Sequence, residues 1–460
     1  MIRYTKAYNR HKERVGEKVQ ELKDTKNWIA GVQWFFFIFA NIVIIPITVG
    51  EAFGLSQTEI VPLLQLSFIV TGLACLAQAI IGHRRPILEG QSGLWWGIFL
   101  TLVTTTSAQG MPLEVLGGSL ALGVILSGVI TILIGLTGIG PIISKLFNPG
   151  VMGVFMFLLG LTLIQIFLKG MLGIPFGTAA ETATIHLPIA GVAIFIALLV
   201  IVISIKSPAK IRSYALLIGI IVGWIIYTII FGVDSTSNGD TSFKLFPFGS
   251  LTWDVGVVLT AVMAGLLNIS NTFGSLKGTD EMFKKTTTKK DYLSSFSITG
   301  LATVAAGIFG LVPYAPYVSS IGFLRQTNIL DKVPFIIGSF LFFIMGVIQP
   351  IGTFFSTLPL SIGSAVLFVA YLQLFNSSIE FFKGVSFNTL NVYRSAIPLF
   401  VGTVIMTLPA SYFESIPGFV RPFMSNGLLV GIILALLLEN MLNWDRVGAT
   451  MQDHKRRAIK

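Results

Sequence analysis

Apolar runs alternate with short polar connections along almost the whole chain. Each run is close to the roughly 20 residues that a helix needs to cross about 30 Å of hydrocarbon. In the first half such runs cover residues 28–50, 59–82, 115–140, 149–168, 186–206 and 212–232. In the second half they cover 251–276, 293–312, 333–353, 357–373, 394–412 and 422–443. Two further stretches break the rule. Pro313-Tyr314-Ala315-Pro316-Tyr317 keeps the backbone extended, because proline lacks an N–H and pushes the residue before it out of the helical region. Ser319-Ser320 then offers capping hydroxyls and helix-compatible residues follow, up to about 330. Ile87-Leu88-Glu89-Gly90-Gln91-Ser92-Gly93 is likewise too polar and glycine-rich for hydrocarbon, yet it runs into an apolar helix at Leu94. Each stretch is expected to be an extended half-span feeding a half-helix that starts near the bilayer midplane. Non-helical backbone survives there only inside protein or beside a polar cavity. An external loop entering a full helix is the alternative for 313–330.

Counting both, the pattern predicts an all-α polytopic membrane protein of fourteen segments, seven on each side of a polar loop near 234–244, with the third of each seven discontinuous. Matching interruptions in the two halves point to an inverted repeat with a site between them. An odd number per half would insert the halves in opposite orientations. Charge agrees. With a cytosolic N-terminus and alternating sides, 28 of the 31 Lys and Arg fall inside, leaving Lys169, Lys244 and Arg421 outside. Residues 1–27, which carry eight of those cations, and the tail 444–460 are then both cytosolic, in a multi-pass plasma-membrane protein.

Composition narrows the function. The chain of 460 residues is 53% hydrophobic and 11% charged, with a mean hydropathy of +0.82. A net charge of +10 is dispersed between apolar runs and needs no nucleic-acid partner. The polar first 27 residues argue against a cleavable signal peptide. The lone Cys75 excludes disulfides within the chain, and four scattered histidines offer no metal-ligand spacing. Gly138-Ile139-Gly140 lacks the Lys-Ser/Thr of a phosphate loop, and no nucleophile–base pair is evident. No enzyme activity, cofactor or metal is expected. Asn268, Asn271, Thr272 and Ser275 recur at three- and four-residue spacing and form one polar stripe on the eighth segment. Hydrogen-bonded helix packing would explain one or two such groups, whereas four suggest a polar cavity. Gln33 and Tyr371 are isolated polar residues within apolar runs. Glu89 and Arg325 are charges close to the two half-helix starts, where an ionisable residue is functional or simply hydrated near the cytosolic face.

These residues resemble the nucleobase–ascorbate transporter family, the uracil/xanthine permeases, over nearly the whole chain. Phe309, Gly310, Pro313, Tyr317, Gly322 and Thr327 match its signature around the tenth segment. Gln33, Gly90-x-Ser92 and Pro359-Leu360 leading to Tyr371 also fit. The resemblance implies a core domain of segments 1–4 and 8–11 (28–140 and 251–353) and a gate domain of 5–7 and 12–14 (141–250 and 354–443). It implies a substrate between the short strands and the eighth segment. On that basis the binding residues are Asn271, Ser319, Ser320, Tyr317, Gly322, Gln91, Ser92, Gly93, Trp95, Thr272, Ser275, Gln33 and Tyr371. The departures are specific. Ser319-Ser320 replaces an acid or amide followed by Asn, Asn271 replaces the glutamate of the eighth segment, and Asn328 replaces a basic residue. Gly93 stands where an aromatic residue is usual, with Trp95 close by.

The expected function is secondary transport of a nucleobase, a purine or another xanthine- or uracil-like base, by alternating access. Loss of both family acids leaves Glu89 as the proton-coupling candidate, unless Arg84 or Arg85 holds it as an ion pair; Arg325 is the other charge at hand. The expected partners are the nucleobase, a proton or other coupling ion and the lipid bilayer, with a homodimer among the options. The competing readings are an anion carrier of the same architecture and a channel.

Overall fold

In the computed structural model the described residues are 24–174, 183–212, 214–232, 242–389 and 391–444. The expectations for residues 1–23, for the loop at 234 and for the tail beyond 444 concern residues outside them. Every expected segment contains helix. In the first half these are α1 (Thr25–Ile42, continued as Ile44–Ala52), α2 (Gln57–Ile80), α3 (Gly93–Ala108), α4 (Leu113–Thr137), α5 (Pro149–Met171), α6 (Leu187–Lys206) and α7 (Ala215–Phe231). In the second half they are α8 (Val255–Thr279), α9 (Lys289–Phe309), α10 (Ser320–Thr327), α11 (Lys332–Val347, continued as Gln349–Ser356), α12 (Leu360–Tyr371, continued as Gln373–Phe382), α13 (Tyr393–Thr407) and α14 (Gly427–Met441). The strands β1 (Glu89–Gln91) and β2 (Tyr314–Pro316) precede α3 and α10.

Among the described residues eight helices are long and apolar enough to cross a membrane by themselves, or nine if the two pieces of α11 count as one. The chain is therefore an all-helical membrane protein. The eleventh segment differs from the straight span expected over 333–353: its pieces meet at 88°. Pro350 stands at the start of the second piece, where it supplies no backbone N–H to continue the ladder. Local chemistry sets the other ends. Asp254 accepts from Val257 N to cap α8, Asn148 caps α5 in the same way, and Thr288 and Asp291 form a reciprocal box on α9. Gly310 ends α9 at φ +68°, and a Cβ there would lie 2.3 Å from Pro247, so glycine is required twice over.

The helices form two groups. In one, α4 packs on α9 and α8, while α11 packs on α2 and α1. In the other, α6 packs on α7 and α12, while α13 packs on α14 and α5. Each of these contacts has a counterpart seven numbers away. β1 lies on α2 just as β2 lies on α9. The extended stretches expected in the third and tenth segments meet where the halves cross.

Candidate functional site

The crossing is a short antiparallel ladder. Glu89 faces Pro316, Gly90 faces Ala315 and Gln91 faces Tyr314. Two flanking bonds extend it, Ser92 N to Pro313 O at 2.7 Å and Tyr317 N to Leu88 O at 2.8 Å. Backbone groups that hydrocarbon would leave unpaired are thus satisfied strand to strand. α3 and α10 begin immediately afterwards, so two sets of free helix N–H groups, each at a positive dipole end, flank one place.

α8 fixes this geometry through Asn268. Its Nδ2 donates to Tyr314 O at 2.9 Å, and its Oδ1 accepts from Ser92 Oγ at 2.7 Å and from Asn271 Nδ2 at 3.0 Å. One buried amide therefore holds both strands and orients a second amide. Ser275 Oγ donates to Pro316 O at 3.1 Å, about two turns beyond Asn268 along α8. Asn271 makes no other side-chain hydrogen bond among the described residues, which leaves its carbonyl and one N–H for a ligand. The tenth segment is tied in similarly. Leu88 N donates to Ser320 Oγ at 3.1 Å, and the Tyr317 hydroxyl donates to Gln91 O. Ser319 makes no side-chain cap bond. It is exposed together with Gly322, beyond which a Cβ would meet nothing within 4 Å.

The expected residues sort clearly. Ser92, Gly93, Asn271, Ser275, Tyr317, Ser319 and Ser320 converge at the crossing. Thr272 is buried on the same helix as Asn271. Tyr371 comes up beside Gly93, where a Cβ would lie 3.6 Å from its hydroxyl. Leu163 would lie 3.3 Å from the same Cβ, so Leu163 and Tyr371 already occupy the room that a side chain at 93 would need. Trp96 and Phe167 pack around Tyr371, at 6.4 Å and 5.4 Å between ring centroids. Gln91 and Trp95 are fully buried, and among the described residues the Trp95 indole N–H has no hydrogen-bond partner. Strand alternation puts Gln91 on the face shared with Glu89, opposite Ser92.

Two residues are not brought to the crossing. On α1 it is Ile42 that approaches Gly90; Gln33 lies nine residues away, or about 13 Å along a helix. Arg325 is exposed, six residues or about 9 Å beyond Ser319. Of the two readings of these charges, hydration fits Arg325 and fails for Glu89, which is fully buried. Nor does Arg85 hold Glu89. The loop 83–86 is no hydrated basic turn. Arg85 is buried and pairs with Asp280 at 2.8 Å, and it also donates to Leu276 O, Thr279 Oγ1 and Thr287 Oγ1. Burial, aided by neighbouring Arg85, pushes His83 down to about 3, so its neutral Nδ1 accepts from Arg85 N at 3.1 Å. The Glu89 carboxylate accepts instead from Gln78 Nε2 at 2.9 Å and Thr299 Oγ1 at 2.7 Å. Residue spacing alone hid three contributors: the framing role of Asn268, and Gln78 and Thr299 around Glu89. Asn268 was visible within the stripe, but its partners lie on strands 176 and 46 residues away.

Known proteins agree with this architecture. YwdJ of Bacillus subtilis, provisionally named a purine permease, is 27% identical over 91% of this chain and 96% of its own length. The nucleobase transporter PlUacP of Paenibacillus larvae is 23% identical over 94% and 97%. The xanthine permease of Bacillus subtilis is 23% identical over 90% and 93%. Among solved structures, the transmembrane domain of the cyanobacterial bicarbonate transporter BicA matches 90% of this chain and 97% of its own, with a TM-score of 0.57 at 15% identity. At that identity the likeness is one of fold. The pattern described as Permease family, that of the xanthine and uracil permeases, matches residues 25–411, and the chain belongs to that family of membrane transporters.

Proposed function

We propose that the protein is a secondary active transporter of a nucleobase, a purine such as a xanthine- or uric acid-like base, working by alternating access. The reading is supported by family membership and by the names of the relatives, and one observation carries it: the Asn271 amide, oriented by Asn268, keeps a donor and an acceptor free beside two helix N-termini. A planar heterocycle with adjacent C=O and N–H groups complements that array, the ring carbonyls accepting from backbone N–H and the ring edge pairing with the amide. Ser319 adds a hydroxyl that can donate or accept.

In this reading the fourteen segments are a seven-plus-seven inverted repeat, which accounts for contacts that recur seven helices apart. The core domain comprises α1–α4 and α8–α11 with both strands. The gate domain comprises α5–α7 and α12–α14, and both termini are cytosolic. Movement of one group past the other exposes the crossing to either side in turn. A cation that neutralises Glu89 drives accumulation, the proton being the simplest, since Glu89 has neutral hydrogen-bond partners and, among the described residues, no ion pair. The test is counterflow in proteoliposomes against purines, pyrimidines, bicarbonate and sulfate. Saturable exchange of one base class is expected.

The second reading, a small-anion carrier, is favoured by one feature. Asn271 stands in place of an acid, so the two positive helix ends face no carboxylate. Exchange of bicarbonate or sulfate without any base in the same panel would establish it and remove the first.

A further inference from the structure

One contact between the two groups of helices is made backbone to backbone. α8 opens at Val255, and its second residue, Gly256, is buried. A Cβ there would lie 2.6 Å from Gly418 O and 2.9 Å from Pro422 Cδ, so a main-chain oxygen and a rigid ring leave room for a hydrogen alone. Gly418 and Pro422 belong to residues 408–426, the connection from α13 to α14. The same connection reaches α3 through its short turns Ala410–Phe413 and Arg421–Met424.

Both sides of the contact are stiff. Arg421, one of the three cations that fall outside the cytosolic count, braces its own loop: it donates from Nε to Ile416 O at 3.0 Å and from a terminal nitrogen to Glu414 O at 2.7 Å. Asn426 caps α14 through Leu429 N. A Cβ at Gly427 would lie 2.2 Å from Gly402 O, which seats α14 directly on α13. Across the contact, Asp254 caps α8, and its own N–H donates to Ser119 Oγ on α4 at 3.0 Å.

The first half carries equivalent parts in another arrangement. Asp24 caps α1 as Asp254 caps α8. Arg212 donates to Ile205 O and Ser207 O at the α6–α7 connection, as Arg421 does between α13 and α14. Yet the first two residues of α1, Thr25 and Lys26, are exposed, whereas Gly256 is covered. Equivalent helix starts that differ in this way are what a carrier closed at a single end would show.

We propose that the contact of Gly256 with Gly418 and Pro422 is the outer gate of the carrier, and that Gly256 is the residue whose missing side chain lets it shut. The inference rests on the alternating-access reading and the orientation proposed above, which put these ends outside. Substitution here acts on conformation. Leucine is a better helix former than glycine, so α8 itself tolerates it. The cost arises only when the groups come together: an ordinary contact needs about 3.5 Å, so even a Cβ would stop closure roughly an ångström short.

The test combines two measurements on the full chain, whose one native cysteine, Cys75, is buried. In right-side-out vesicles, an impermeant thiol reagent added outside should label Ser319→Cys at least tenfold faster when Gly256→Leu is also present. Val255→Cys and Phe419→Cys, each one residue from the contact and both at exposed positions, can be joined by a short bis-methanethiosulfonate cross-linker. Joining them should hold the gate shut, so that base exchange in proteoliposomes is lost and returns on reduction. Equal labelling with and without Gly256→Leu would overturn the proposal. Exchange that continues in fully cross-linked protein would do the same, because the contact would then be a fixed seam. Should Gly256→Leu not fold, the cross-linking result decides alone. Labelling needs no substrate, so a protein that exchanges no base before cross-linking or after reduction sinks the nucleobase reading and leaves the gate to be judged by labelling.

Discussion

Asn268→Ala tests the frame of the site most directly. The substitution removes three hydrogen bonds at once: to Tyr314 O at 2.9 Å, from Ser92 Oγ at 2.7 Å and from Asn271 Nδ2 at 3.0 Å. Interhelical side-chain bonds within membranes average about 0.6 kcal/mol each, so the three together come to about 2 kcal/mol. At about 1.4 kcal/mol per tenfold, that is roughly a 30-fold loss if it falls wholly on the bound state. The lost bonds hold both half-helix starts and the Asn271 amide in register, so affinity for the nucleobase should fall at least tenfold and Tm should fall with it. Affinity is read by equilibrium binding of a labelled base to purified protein, and Tm on the same samples. Asn268→Asp sharpens the test. It keeps an acceptor for Ser92 and Asn271 but sets a carboxylate oxygen against the Tyr314 carbonyl, where an N–H donated before. It should therefore be worse than alanine, although it is nearly isosteric. Affinity and Tm both within twofold or 2 °C of wild type in Asn268→Ala would refute the view that this amide frames the site.

Further outcomes follow from the same geometry. Asn271→Ala and Ser319→Ala should each weaken base binding by roughly 1–3 kcal/mol with folding retained, because a polar group of the ligand loses its partner; unchanged affinity in Asn271→Ala would reduce the stripe to helix packing. Arg85→Ala strands Asp280 and removes donors to buried carbonyls, and should cost about 3–5 kcal/mol, visible as a large drop in Tm that Arg85→Lys does not restore. An imposed inward proton gradient should drive accumulation in wild-type proteoliposomes, while Glu89→Gln loses accumulation and keeps exchange; a variant that still concentrates substrate removes Glu89 from coupling. The buried Cys75 provides a quiet background for labelling. Gly110→Cys should react with an impermeant thiol reagent added to intact cells, and Thr286→Cys, exposed beside the bonded Thr287, should not; the reverse pattern would overturn the orientation.

Local chemistry written into consecutive residues was legible; chemistry assembled across distance was not. Pro313 and Pro316 forbid helix wherever the chain goes, so the extended strand could be read directly, and the polar run Glu89–Gly93 announced its partner. Arg85 shows the other case. Beside Arg84 and before Pro86 it has the composition of a surface turn, and partners about 200 residues away, Asp280, the Leu276 and Lys285 carbonyls, Thr279 and Thr287, make burial tolerable. Gln33 shows how identity misleads without depth. A polar residue in an apolar run is a fair candidate, but its level along α1 depends on where the helix starts and which turn meets Gly90. The bend in α11 went unread: the apolar run 333–353 looked like a single span, although Pro350 lies within it and the second piece turns by 88° and packs on α2.

The recurrence of contacts seven helices apart bears on how two states can share one sequence. If the halves trade conformations, every helix keeps a neighbour of the same rank, so the second state needs no separately evolved set of surfaces. The halves are nonetheless unequal where it counts: sixteen helical residues follow β1 and only eight follow β2. A repeat with one short arm cannot trade its halves one for one: eight helical residues would have to take the place of sixteen.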